Sequence, residues 1–179
     1  MTPRFFVEPK QITGDRVVIT GEELVHLARV LRLRSGSSIT ICDGSGQEYQ
    51  AILEEISPDV ALAKITKTTI SVSEPRVKMT LVQGLPKADK MDWIVQKGTE
   101  LGIYEFLPVF SQRTVVQLSG AKAQKRVDRW QRIAKEAAKQ SRRTVVPKVN
   151  YPISWRECLA RYSERAQGRL GLFPWEAVA

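Results

Sequence analysis

Lys87, Asp89 and Lys90 stand in a short polar stretch, Leu85-Pro-Lys-Ala-Asp-Lys90, between an apolar run and a segment of helical spacing. Two ammonium groups flanking a carboxylate can hold an anion, orient a polar group or move a proton. In open α/β sheets the loop after a strand's carboxyl end is where ligands bind. The elements that must position this loop are legible on either side. Ahead of it, Val77-Lys-Met-Thr-Leu-Val-Gln-Gly84 predicts a strand over 77–83, with Val77, Met79 and Leu81 on one face. Behind it, Met91, Ile94, Val95 and Leu101 recur at helical spacing and predict a helix over 89–101, with Asp89 as N-cap and Gly102 as its stop. Asp89 fits a cap as well as a site, Lys90 with Asp92 fits a solvated face, and Glu100 is a further polar candidate on the same helix.

The chain has 179 residues and 42% apolar content, enough for one ordinary domain or two small ones. No apolar run approaches a membrane span, and the start Met-Thr-Pro-Arg-Phe-Phe-Val lacks a signal core, so the cytoplasm is the expected compartment. Cys42 and Cys158 are far apart with no CxxC or Cys/His pattern, which reads as two small buried hydrophobes and no metal. Charge is unevenly placed. Up to Glu74 there are 8 Lys and Arg against 10 carboxylates, and from Pro75 onward 20 against 9. A second half this basic suggests an anionic partner, most economically nucleic acid.

Residues 1–72 are turn-rich and β-patterned. Strand-like runs occur at Phe5–Val7, Arg16–Ile19, Ser38–Cys42, Glu48–Ile56 and Val60–Ile65, with Asp43-Gly-Ser-Gly46 as a hairpin signal. One helix opens at Thr20-Gly-Glu-Glu23 with a cap and an acidic first turn, and carries Leu24, Leu27, Ala28 and Leu31 on its apolar stripe. Five short strands and one helix predict a small barrel. Pro75 and the change of charge sign place a boundary at 72–76. From 76 to 179 strand and helix alternate: strand 77–83, helix 89–101, strand 104–110, helix 121–142, a short strand near 145–151, helix 154–166 and strand 169–173. That order predicts a parallel α/β sheet with right-handed crossovers.

The long helix has an apolar face of Val127, Trp130, Ile133, Ala134, Ala137 and Ala138. Nine cations cover much of the rest, among them Arg126, Arg129, Arg132 and Arg143, against only Asp128 and Glu136. That excess is more than i,i+4 pairing would use and favours phosphate contact over a merely solubilising face.

Several separate motifs together resemble one family. They are Arg4-Phe-Phe-Val7, Gly21-Glu-Glu23 with His26 and Val30-Leu-Arg32, Asp43-Gly-Ser-Gly46, Leu85-Pro-Lys-Ala-Asp-Lys-Met-Asp-Trp93, Gln96-Lys-Gly-Thr-Glu-Leu-Gly102, Pro108-Val109, Arg113, Arg129-Trp-Gln131, Glu136-Ala-Ala-Lys-Gln-Ser141 and Val146-Pro147. They run along essentially the whole chain and resemble the small-subunit (16S) ribosomal RNA uridine methyltransferases, the RsmE family. The resemblance implies an α/β protein, α+β overall: an N-terminal PUA-like RNA-binding β-barrel, then a SPOUT (α/β-knot) methyltransferase domain. It implies an enzyme that uses S-adenosyl-L-methionine to methylate N3 of one uridine, takes part in ribosome biogenesis, has 16S ribosomal RNA or the small subunit as partner, and works as a homodimer. Ala88, Gly98 and Arg142 stand where the family has glycine, alanine and glycine. The family's Gly-Pro-Glu-Gly-Gly and Leu-Gly-x-Arg-Ile-Leu-Arg tracts do not occur in these residues, so the second domain is expected to be incomplete at its C-terminus. Leu172 and Phe173, with the run Phe173-Pro-Trp-Glu176, are the candidates to border the cofactor, an ordinary strand end followed by a loop being the other reading, and Arg113 fits a contact to either RNA or cofactor. A non-catalytic RNA-binding protein, or a cofactor-less fragment of such an enzyme, is the alternative.

A uridine ring nitrogen between two carbonyls attacks only once its proton leaves, so the site needs a base or a cation near those oxygens. The base must also be unstacked to be reached. Glu136, Gln140, Ser141 and Arg143 are the candidate catalytic set: Gln140 to read the Watson–Crick edge, Arg143 to hold a carbonyl or phosphate. A polar helix end whose Arg compensates the helix dipole is the other reading of the same residues. The candidate RNA-binding residues are Arg4, His26, Arg29, Arg32, Lys87, Asp89, Lys90, Arg113, Arg126, Arg129 and Arg132, with Arg34 extending the surface. His26, the one histidine, fits a half-buried barrel residue or an RNA contact better than a base.

Overall fold

The computed structural model describes residues 2–70, 73–87, 89–110, 120–163 and 170–172. Period-two patterning produces the first sheet: β1 (Arg4–Phe6), β2 (Ile12–Thr13), β3 (Arg16–Ile19), β4 (Ser38–Cys42), β5 (Gln47–Ile56) and β6 (Ala61–Ile70). Their order is β1-β4-β5-β6-β3-β2, antiparallel except that β1 runs parallel to β4. Inward residues Phe5, Val17, Ile19, Ile39, Ile41, Ala51, Leu53, Ala61 and Ala63 meet in one core with Leu24 and Leu27. Phe5 lies on one edge strand and Val17 next to the other edge, so the sheet must curl round that core. The five-stranded barrel expected from sequence is thus a six-stranded sheet, in which β1 and β2 are not paired to each other. β6 also runs five residues past Ile65, because Lys67–Ile70 pair with Gln47–Gln50. The hairpin at 43–46 turns as its residues demand: Asp43 Oδ1 accepts the Ser45 amide at 2.9 Å, and Gly44 and Gly46 take φ of +81° and +97°.

The helix expected from Thr20 to Leu31 is α1 (Gly21–Val25) passing into a π-helical turn over His26–Val30. Thr20 occupies the N-cap without a side-chain cap bond; its Oγ1 instead accepts from Gln11 Nε2 at 3.2 Å.

The second sheet is parallel. β7 (Thr80–Gly84) and β8 (Glu105–Phe110) pair in register from Thr80↔Glu105 to Gly84↔Val109. On the other side of β8 lie β9 (Lys148–Val149) and β10 (Ile153–Ser154), two pieces of one interrupted strand. At the interruption Asn150 Nδ2 donates to the Phe106 carbonyl at 3.0 Å and to Glu105 at 2.8 Å. The crossovers α2 (Lys90–Glu100) and α3 (Gly120–Gln140) pack together on one face, with Met91, Val95, Trp130 and Ala134 around Phe106. α4 (Trp155–Ser163) covers the other face through Cys158 against Leu107 and Val109. Strand order β7-β8-β9 advances in one direction, so two crossovers of the same hand fall on the same side.

Three expectations need correction here. The strand starts at Thr80 and not at Val77, because pairing with β8 begins there; Val77 and Met79 are left exposed. Leu101 leaves the buried stripe of α2 because it is the C-cap and is exposed; Gly98 and Thr99 take the inward positions. Leu170–Leu172 belong to no strand and pair with none of the described residues, and Leu170 and Leu172 are exposed, while Arg169 and Phe173 lie outside the described residues.

Both crossover helices end in a Schellman motif. On α2, Ile103 N donates to Gly98 O and Gly102 N to Thr99 O, with Gly102 at φ +95° and its Cα packed on Pro75. On α3, Arg143 N donates to Ala138 O and Arg142 N to Lys139 O, which puts Arg142 at φ +59° where glycine would be relaxed. Gly98 has its own reason: a Cβ there would stand 2.7 Å from Phe106 Cε1.

Candidate functional site

α3 is the spine of the junction between the two sheets, and its polar residues are shared among several partners. At its C-terminal end Arg143 is buried. Its Nη2 donates to Glu74 Oε2 at 2.7 Å, Nε donates to the same carboxylate, and Nη1 donates to the carbonyls of Ile103 at 2.6 Å and Thr99 at 3.1 Å. Glu74 Oε1 also accepts the amides of Thr144 and Val145, at 2.8 and 3.1 Å. Burial pushes the Glu74 carboxyl up, but these donors outweigh it and hold it below the usual carboxylate range. Every guanidinium nitrogen of Arg143 is therefore spent on the protein. The substrate contact expected of it is replaced by a clamp joining the inter-sheet linker to the ends of α2 and α3.

Ser141 is similarly engaged, its Oγ donating to Ala137 O at 2.7 Å. Gln140 is different: it is exposed and makes no side-chain hydrogen bond among the described residues. Glu136 is exposed and pairs with Lys139 at 3.2 Å.

One turn earlier, α3 faces α1 and the π-turn across a cleft of about 170 Å³ lined by Glu22, Glu23, His26, Arg132, Lys135, Glu136 and Lys139. Glu23 is only 5% exposed. Its Oε1 lies 2.5 Å from Lys135 Nζ and 3.1 Å from Lys139 Nζ, ion-pair distances without the angles of a formed hydrogen bond, and Oε2 has no partner. Two ammonium groups this close offset the burial of one carboxylate. His26 is half-buried, with Nδ1 3.4 Å from Lys139 Nζ and its ring edge-on to Phe5. Three sequence-identified residues, His26, Arg132 and Glu136, thus share one cleft.

The remaining candidates scatter. Arg126 pairs with Asp89 at 3.4 Å, and Arg129 with Asp92, whose other oxygen accepts Trp130 Nε1 at 3.0 Å. Asp89 caps α2 in position without a side-chain cap bond. Lys87 and Lys90 are exposed and have no ion pair among the described residues. Arg4 is not a surface contact: its side chain is 13% exposed, and its Nη1 donates to Glu48 at 2.7 Å, to Cys42 Sγ at 3.1 Å and towards Arg143 O at 3.4 Å. Burial, against the pull of Arg4, pushes the Cys42 thiol up to about 11. Arg29, Arg32 and Arg34 are exposed and without ion pairs among the described residues, and Arg32 holds φ +51°. Glu100 pairs with Lys97 at 2.7 Å on the outer face of α2. Arg113 and Phe173 lie outside the described residues, and Leu172 is 82% exposed. Sequence reading missed Glu23 and Glu74. A carboxylate preceding Pro75 and one in the first turn of a helix both had ordinary local explanations, and their cationic partners are distant in the chain.

The family model described as "RNA methyltransferase PUA domain" matches residues 19–68, and that described as "RNA methyltransferase domain" matches 73–177. The chain belongs to the RNA methyltransferase domain family. It is 41% identical over 164 residues to the ribosomal RNA small subunit methyltransferase E of Bacillus subtilis, spanning 90% of this chain and 64% of that protein. A crystal structure of the Neisseria gonorrhoeae protein of the same name, bound to S-adenosyl methionine, superposes with a TM-score of 0.80 at 36% identity, over 89% of this chain and 65% of that one. The fold is shared also by a methyltransferase of Legionella pneumophila, at TM-score 0.82 and 24% identity, over 96% of this chain and 69% of that one. The chain therefore spans just under two thirds of the Bacillus relative.

A parallel sheet would seat a cofactor at its carboxyl edge. The described residues there are few: Gly84 has open space where a side chain would stand, Leu85 is buried with its amide on Val109 O, and Phe110 packs into the core. They offer one wall and no set of donors for a ribose or a carboxylate, so the described residues do not by themselves fit S-adenosylmethionine. Among the described residues no group of three or more His, Cys, Asp or Glu is placed to hold a metal ion, and no helix is long and apolar enough to cross a membrane.

Proposed function

We propose that this chain carries the RNA-binding and substrate-presenting part of a cytoplasmic, homodimeric enzyme that methylates N3 of a uridine in 16S ribosomal RNA, with S-adenosylmethionine as donor. The observation that carries this reading is the tandem match of a PUA model and a methyltransferase model onto the two sheets. The relatives' names supply the small-subunit RNA, and the Neisseria structure supplies the donor. Residues 1–72 and 76–179 are the proposed units, a division supported by separate cores: one spans Phe5 to Ala63, the others Leu85 to Cys158.

The donor would supply a methyl group already activated on sulfur, which leaves the protein to unstack the uridine and place N3. Gln140 suits the reading of O4 and N3–H, because it is exposed at the end of a helix whose position is fixed by the Arg143 clamp below it. Glu136, one turn back, is the nearest carboxylate on that helix face. Arg132, His26, Arg29 and Arg32 offer cations or donors to the flanking phosphates.

The test is transfer of labelled methyl from S-adenosylmethionine to purified small subunits by the whole enzyme that carries this chain, with the product nucleoside identified by mass spectrometry. N3-methyluridine is expected. Label on the ribose 2′-oxygen, or on large-subunit RNA alone, would overturn the reading.

A further inference from the structure

A second cleft, of about 190 Å³, opens at the junction of the two halves and differs from the first in chemistry. The first is walled by carboxylates as well as cations. In the second the one carboxylate, Glu74, is already filled by Arg143 and two backbone amides, so Lys78 has no carboxylate partner among the described residues. Its floor is apolar, built from Val145 and from Pro75 packed so tightly on Gly102 that a Cβ there would come 2.5 Å from Pro75 Cγ. The wall is Tyr104, 37% exposed, with Lys78 Nζ standing over one face of its ring at 4.8 Å from the centroid, so a base stacked on that face displaces the ammonium toward the base's own phosphate. On the rim, Gly44 and Gly46 hold positive φ with open space beside their Cα atoms. Their amide N–H groups donate to none of the described residues. Val77, 72% exposed, lies at the same cleft.

An aromatic face, a lone cation and uncovered turn amides over an apolar floor are the parts from which single-stranded nucleic acid sites are made. We propose that this cleft seats one unstacked nucleotide of the bound RNA, distinct from the methylated uridine, with its base against Tyr104 and its phosphate on Lys78 and the 44–46 turn. The inference rests on the RNA reading above. It adds a contact made jointly by the PUA-like sheet and the linker, which registers the RNA between the two halves. Recognition by stacking tolerates any base, so this site contributes affinity and position more than sequence choice.

The test is fluorescence anisotropy of the whole chain with a labelled, uridine-rich single-stranded RNA at several salt concentrations. Tyr104→Leu should weaken binding about fivefold or more, while Tyr104→Phe, which keeps the ring, stays within about twofold of wild type. Lys78→Gln should lower the slope of log affinity against log salt by about one. Unchanged affinity in Tyr104→Leu, with circular dichroism and melting intact, would overturn the cleft and leave the RNA reading standing. A wild-type chain that binds no RNA would overturn both. Loss of self-association in Tyr104→Leu, seen by sedimentation with RNA affinity unchanged, would make this surface a contact between copies and likewise overturn the proposal.

Discussion

Arg143 and Glu74 face each other across the junction of the two sheets, Nη2 to Oε2 at 2.7 Å, with the arginine side chain 3% exposed. The pair ties the linker that leaves the first sheet to the end of α3, and through the Thr99 and Ile103 carbonyls to the end of α2. Removing one member leaves the other charge buried without its partner. Arg143→Ala should therefore cost on the order of 3–5 kcal/mol in urea unfolding. A loss of methyl transfer with an unchanged unfolding midpoint would instead return Arg143 to the substrate side.

The same pair makes stability depend on pH with a definite sign. The Glu74 carboxyl is depressed in the folded chain, so its contribution is full above the ordinary Glu value of about 4.3 and is lost as pH falls through the folded value. Between about pH 6 and pH 3.5 the wild-type unfolding midpoint should fall more steeply than that of Glu74→Gln, which has no proton to take up there. Parallel curves would show that the donors around Glu74 bind the neutral and ionised forms alike.

Arg142 at φ +59° sits in the C′ position of a Schellman motif, where an L side chain costs about 1 kcal/mol that glycine avoids. Its side chain is exposed and forms no ion pair among the described residues, so little is lost with it. Arg142→Gly should raise stability by about 1 kcal/mol, less the extra entropy glycine gives the unfolded chain. By contrast, Gly98→Ala should not gain the usual helix-propensity benefit, because the new methyl meets the Phe106 ring at 2.7 Å.

Strands β3, β4, β5 and α2 were legible in the sequence because alternation and helical spacing are local signals, as was the Gly102 stop. The fates of Arg4 and Arg143 were not. Each finds its carboxylate far along the chain, Glu48 and Glu74, and no local pattern distinguishes a buried arginine from an exposed one. The cation excess on α3 is smaller than its own sequence suggests, for the same reason. Counting within the helix finds only Asp128 and Glu136, whereas Asp89 and Asp92 from α2, Glu23 from α1 and Glu74 from the linker neutralise Arg126, Arg129, Lys135, Lys139 and Arg143. Tertiary pairing takes up those five, and Lys122, Lys125, Arg132 and Arg142 keep no ion pair among the described residues.

That pairing divides the basic residues of α3 into two sets with different expected behaviour. Arg132 lines the cleft opposite His26 and has no ion pair among the described residues, whereas Arg126 and Arg129 are held by Asp89 and Asp92. Arg132→Glu should weaken RNA binding and flatten its salt dependence by about one or more in slope. Arg129→Glu should change the slope less and instead lower stability, since it sets two carboxylates against each other beside the Trp130 indole. Titrating the same RNA into each variant over a range of salt, alongside urea unfolding, separates the outcomes. Equal slope changes at Arg126, Arg129 and Arg132 would mean that the α2–α3 ion pairs open on binding and that the whole helix face meets the phosphate backbone.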